Sequence, residues 1–349
     1  MMKWSTFLAS GGAQRQDSRQ KGVTLVELMV AMALGLLIAL AAAAALLVSR
    51  QGFAAVDAAS QLRDNGRYLQ SLTQRLGVQA GYRDVKFATD TTAKANQSYG
   101  ATAPPPNIFG LNNASRTSTA TWDAGTVRTS GQVGYGSDIL VLRHQTSSST
   151  PDATSSDGTM IDCAGVASTA VPTGLDDKLV SILHVGVGSD GEPALLCSRS
   201  DTGAAPYDVQ PIISGVENFQ VLYGVDGIGP GNTTVPIPSA SADSIPERYL
   251  RADQLTVAGN DAATYANWQR VRSIRIGVVL RGPPGSAIDN ASQTFYPLGV
   301  SKASGSGTPG SGFANNSTDP GTAYTPTVDS RLRQVVTFTV HLRNFQGEY

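Results

Sequence analysis

Cysteine, histidine and charge are scarce in this chain: 349 residues hold two cysteines and three histidines, and only 15% are charged. Cys163 and Cys197 form no Cys-x-x-Cys pair, which removes zinc-ligand spacing and thiol redox motifs. His144, His184 and His341 are scattered without an HxH or HExxH pattern, so metal ligation and histidine catalysis have no local support. No GxSxG elbow exists, and a serine hydrolase reading falls with it. The formal net charge is -1, and there is no basic block with which the chain as a whole could capture nucleic acid electrostatically.

Residues 1–22 also lack an apolar core. They are polar and basic and end in Lys21-Gly22, so they do not read as an ordinary secretory signal, whose apolar stretch precedes the cut and is lost. A cut at Gly22 keeps the apolar stretch on the mature chain. That cut would remove Lys3, Arg15, Asp17, Arg19 and Lys21 and leave a net charge of -4.

What is present begins immediately afterwards. From Leu28 to Val48 every residue is apolar or glycine, a run that rises about 31 Å as a helix and matches one bilayer core. Basic residues precede it, so the positive-inside rule leaves residues 1–22 in the cytoplasm and carries the bulk of the chain across. Glu27 stands at the start of the span. It needs either solvent at the interface, where it favours the helix N-terminus, or a cation such as the free amine that cleavage would create at Val23 of a neighbouring subunit.

Past the span, Phe53, Val56, Leu62, Leu69, Leu72 and Leu76 recur at amphipathic spacing, with polar residues between them. One helix is expected from about Val23 to Leu76, with Gly77 and Gly81 as stop signals. Strand patterns follow at 139–143, 179–187, 194–198, 219–223, 274–280 and 335–342, with alternation clearest in the last two. Half-buried antiparallel strands fit them. Ser-, Thr-, Gly- and Pro-rich stretches at 89–132, 145–158, 228–246 and 282–330 read as surface loops. The fold class is therefore α+β, a long N-terminal helix packed on a β-rich, mainly antiparallel head, divided as 1–22, 23–80 and 81–349.

Three motifs in the head have bland readings that outweigh the sharp ones. Gly186 to Gly191 satisfies GxGxxG, yet a second strand follows it instead of a helix, so a hairpin turn at Asp190-Gly191 is expected. Asp226 to Asn232 has the oxygen donors and turns of a calcium loop without an EF-hand's acidic spacing. Arg248, Arg251, Arg270, Arg272, Arg275 and Arg281 lie near Tyr249, Tyr265 and Trp268, a mixture that can bind polyanions, but they are expected to form the polar face of a strand and a loop and to pair with nearby acids. Cys163 and Cys197, separated by a segment that reads as a hairpin, would pair in an oxidising compartment or stay as buried thiols.

Gly22-Val23-Thr24-Leu25-Val26-Glu27-Leu28-Met29-Val30 followed by the apolar span resembles the processing motif of type IV prepilins and type II secretion pseudopilins. Ile213 to Asp226, Trp268 to Ile276 and Arg333 to Asn344 resemble stretches typical of the PilW family of minor pilins. The resemblance implies a prepilin peptidase that cuts after Gly22, N-methylation of Val23 in place of the commoner Phe, and a role for Glu27 in subunit addition. It implies no catalysis and no cofactor. The implied partners are other minor pilins, the major pilin, the inner-membrane assembly platform and a large adhesin-like tip protein. The implied location is a single pass in the inner membrane with a periplasmic head, then the pilus fibre. A J-type pseudopilin of type II secretion is the alternative; a membrane-tethered enzyme and a DNA-uptake pilin are weaker ones.

Overall fold

A computed structural model describes residues 22–89, 105–229, 245–287, 291–300 and 322–344. The expected leader, residues 1–21, lies outside them, as do Pro230, Gly231 and Asn232 of the candidate calcium loop. Helix α1 (Leu25–Gln79) starts where expected and runs three residues past Leu76. Its Ala- and Leu-rich stretch is free of proline, and both residue types have high helix propensity. Gly81 ends it in the left-handed region, at φ 75°, where a side chain would be strained. Gly77 is no stop signal; it sits inside the helix for a reason of packing given below.

Contacts divide the chain into two units, one ending at Gly52 and one beginning at Phe53. In the first, every described residue is exposed, including Leu36 at 73% and Ile38 at 70%. In the second, α1 buries Ala58, Leu62, Leu69, Leu72 and Leu76, and each leucine so buried contributes roughly 2 kcal/mol.

After the short helix α2 (Val85–Thr89) come β1 (Ile108–Leu111), β2 (Ala114–Ser115), β3 (Thr126–Val127), β4 (Ile139–His144), β5 (Leu179–Val187), β6 (Pro193–Ser200), β7 (Asp208–Ser214), β8 (Val216–Val225) and β9 (Arg248–Leu250). Helices α3 (Ala252–Leu255) and α4 (Asp261–Trp268) then precede β10 (Val271–Arg281) and β11 (Arg333–His341). Among the described residues these strands form one sheet in the order β1-β4-β5-β6-β7, a second in the order β11-β10-β8-β9, and a ribbon of β2 and β3. All the pairings are antiparallel.

In the second sheet Ile274, Ile276 and Val278 pair with Tyr223, Val221 and Phe219 on one side and with Val340, Phe338 and Val336 on the other. Directly opposed residues share a face, so this is the core face, and α1 lies against it at β11. A Cβ on Gly66 would come within 2.9 Å of Val336, and one on Gly77 within 2.5 Å of Val340. Glycine at these two positions lets helix and strand approach. The far end of the core is aromatic: the Trp268 ring stands 4.6 Å from Tyr223 and 5.0 Å from Phe109.

Three expectations need correction. β10 is buried on both faces except at Arg281, because residues 297–298 cover the side away from the core. The Pro297 carbonyl lies where a Cβ on Gly277 would stand, and it accepts a hydrogen bond from Thr337. Residues 89–132 are not all surface loop, since β1 lies within them and Ile108 and Phe109 are core residues. Residues 248–270, read as strand and loop, also form α3 and α4, the latter capped where Asn260 accepts from the Ala263 amide. Polar Asn at that point is an N-cap signal that the arginine-rich surroundings obscured.

Candidate functional site

Gly22 and Val23 are exposed, and a Cβ on Gly22 would meet nothing within 4 Å. Packing therefore gives no reason for glycine there. Two residues on, the Thr24 amide and hydroxyl both donate to Glu27 Oε2, at 3.0 and 3.1 Å, while the Glu27 amide donates to Thr24 Oγ1 at 3.2 Å. This is a capping box, in which the helix's own residues satisfy amides that the first turn leaves without carbonyl partners. The signal was in the sequence as Thr-x-x-Glu ahead of an apolar run, where Glu27 was read only as a charge. Both residues are exposed.

The head answers the remaining candidates. Cys163 and Cys197 are disulfide-bonded; closure of a loop of 34 residues contributes roughly 3–4 kcal/mol in the chain-entropy picture. Cys197 lies on β6, whereas Cys163 lies in a loop and not on a strand, its amide donating to Ser181 Oγ at 3.0 Å. Gly188 to Glu192 form the β5–β6 hairpin turn, with the Gly188 amide on the Glu192 carbonyl and Gly191 in the left-handed region. Asp226 is committed to Arg272 at 3.3 Å and Arg270 at 3.7 Å, and its side chain is buried, so it is not aimed at a calcium loop. Among the described residues no group of three His, Cys, Asp or Glu is placed to hold a metal ion.

Arginines of the basic cluster pair with acids. Arg251 meets Asp253 at 3.0 Å. Arg281 meets Glu217 at 3.0 Å and also Glu192, and Arg333 joins Glu217 at 2.7 Å and Asp329 at 2.6 Å. An extra residue in β8, opposite the step from Val279 to Leu280, is the bulge that aims Glu217 at these guanidinium groups. The cluster fastens the ends of β8, β10 and β11 to one another.

Three buried ionisable groups escaped the sequence reading altogether or in part. Asp138 joins the sheets, accepting from the Val221 amide at 2.9 Å and the Asn113 amide at 3.1 Å. Burial pushes its carboxyl up to about 7 against those hydrogen bonds. Burial also drops His144 to about 4, and drops His184 to about 3 with help from Arg116 and Arg128. His184 contacts Ser198 Oγ at 2.9 Å. Both imidazoles are neutral structural groups, while His341 is exposed on β11.

The PilW family, described as type IV pilus-assembly protein W, matches residues 182–344. The prokaryotic N-terminal methylation motif matches residues 17–43. All three stretches quoted for the PilW resemblance fall inside the first match, and the Gly22 to Val30 motif falls inside the second. No curated protein matches the chain. Among solved structures it is similar to a type IV-like pilin from Thermus thermophilus, at 14% identity and a TM-score of 0.37, over 82% of this chain and 98% of that one. Residues 182–344 are thus a PilW-family domain, and they stand behind an N-terminal methylation motif of the type IV pilin kind at residues 17–43.

Proposed function

We propose that this chain is a minor pilin that helps to prime type IV pilus assembly. A prepilin peptidase removes residues 1–22, Val23 is N-methylated, and the span 28–48 holds the subunit in the inner membrane with its head in the periplasm. The single observation behind this reading is the wholly exposed apolar surface of residues 28–48, most of it inside the methylation motif matched at residues 17–43. Such a helix can leave lipid only by burying the same surface against other helices of its kind. Partner subunits in a filament supply that surface, and the head then determines which minor pilins and tip protein it meets. No catalytic step is part of the proposal.

Glu27 is the assembly residue in this scheme. Its carboxylate closes a capping box on Thr24, and one oxygen remains for the amine of a neighbour's Val23 when the helices bundle away from water, where an unmatched charge is costly. Glu27→Ala should yield mature-size protein on immunoblots and at least a fivefold loss of the tagged subunit from sheared fibres. Gly22→Val should fail earlier, as uncut precursor. Wild-type recovery of Glu27→Ala in fibres would refute the paired-charge role.

A further inference from the structure

A cleft of about 560 Å³ with mixed polar and apolar walls opens on the side of β8 away from the core, within the size range of small-ligand sites, roughly 300–1,000 Å³. Asn218 and Gln220 line it because they alternate with the core residues Phe219 and Val221. The Asn112–Asn113 turn and the loop carrying Tyr135 supply other walls. Asn113 holds a φ of 44°, a left-handed conformation that asparagine tolerates better than most residues.

The walls are fixed before any ligand arrives. Asn113 Oδ1 accepts from the Gly136 amide at 2.8 Å and its Nδ2 donates to the Arg128 carbonyl at 3.0 Å, while Gln220 donates to the Gly136 carbonyl. The charged lining groups are also answered. Asp138 is taken up by the Val221 and Asn113 amides and by Asn112 Nδ2 at 3.2 Å, and Arg251 by Asp253. Two features remain unspent. Asn218 is 2% exposed and its Oδ1 has no hydrogen-bond partner among the described residues, a deficit that costs about 1–3 kcal/mol until a donor is supplied. Tyr135, by contrast, shows 46% of its surface to solvent.

A phosphate or a metal ion would need a net charge that this cleft does not offer, and an acyl chain would leave Asn218 Oδ1 without a donor. A hydroxyl-rich ring with one face of C–H groups fits both features, since amide dipoles answer hydroxyls and an aromatic face packs against C–H. We propose that this cleft binds a neutral saccharide, with the sugar ring against Tyr135 and a hydroxyl donated to Asn218 Oδ1. The site is independent of how the subunit enters a filament.

The test uses the full chain in a zwitterionic detergent without a sugar headgroup. A printed array of neutral and sialylated glycans is probed first, and the best neutral glycan is then titrated by calorimetry. Binding of at least one neutral glycan, weakened tenfold or more by Tyr135→Ala and weakened also by Asn218→Leu, is expected. Tyr135 is half-exposed, so its variant should melt like the wild type and carries the test even if Asn218→Leu does not fold. Binding of no neutral glycan, binding of sialylated glycans alone, or neutral binding unchanged in Tyr135→Ala would each overturn the proposal.

Discussion

Helix α1 contains two stretches that differ in how apolar residues are used. Up to Gly52 they cover every side and all are exposed; beyond Ala58 a buried stripe forms, with Leu62, Leu69 and Leu76 exposed by 2% or less, whereas Phe53 and Val56, expected on that stripe, remain exposed at 74% and 71%. A stripe repeating every seven residues can be buried by one sheet face. A surface that is apolar all round needs a medium or a ring of partners. The same backbone element thus serves two environments, and the pattern of the side chains alone separates them.

The contrast breaks most sharply by truncation. Leu69→Ala should destabilise the head by about 4 kcal/mol, as a fully buried leucine losing its contacts and leaving a cavity, whereas Leu36→Ala should leave head stability within about 0.5 kcal/mol of wild type. Denaturant titration followed by the fluorescence of buried Trp268 reads both. Equal effects would mean that the two stretches do not differ as described.

A pH series sharpens it, because among the described residues the buried ionisable groups lie in the second unit. The folded-state values of His144, about 4, and His184, about 3, lie below the ordinary 6.5, so their contribution is complete above pH 6.5 and is lost as pH falls through that window. Asp138, raised to about 7, acts oppositely: its contribution is complete below about pH 4 and is lost as pH rises toward 7. Two histidines outweigh one aspartate between pH 4.5 and 6. Stability should therefore fall on acidification, and His184→Asn should flatten the slope by about 1 kcal/mol per pH unit. Asp138→Asn should steepen it by a similar amount. Chemical denaturation at four pH values checks both signs.

The smallest effect belongs to the capping box. Thr24→Ala should cost about 1 kcal/mol at the helix start, seen as roughly fivefold faster amide exchange at residues 25–28 in micelles. Exchange around Leu69 should not change. A change there would contradict the local character of the cap.

Legibility followed the range of the interactions. The apolar run, the stripe and the alternation at 274–280 are patterns within a few residues, and helix α1, β5, β10 and β11 appear where they were expected. Strands β1, β7 and β9 were missed because they are short, carry Gly or Pro, or sit in loop-like composition, and only their pairing across the sheets defines them. Arg272 and Arg275 read as a polar face and are buried; Asp226, which meets Arg272, lies 46 positions away in sequence. Glu217 and Arg333 are 116 apart. The Cys163–Cys197 bond was legible from the cysteine count, though not that Cys163 leaves the strands. The saccharide cleft had no signal, since Asn112, Asn218 and Tyr135 meet only through the fold.

The proposed cut after Gly22 would leave the apolar helix on the mature chain, and mass spectrometry of the N-terminal peptide reads it. The protein recovered from peptidase-positive cells should begin at Val23 and carry one added methyl group. In peptidase-negative cells it should begin upstream of Gly22. A mature terminus anywhere beyond the apolar span, or an uncut chain where the peptidase is active, would contradict it.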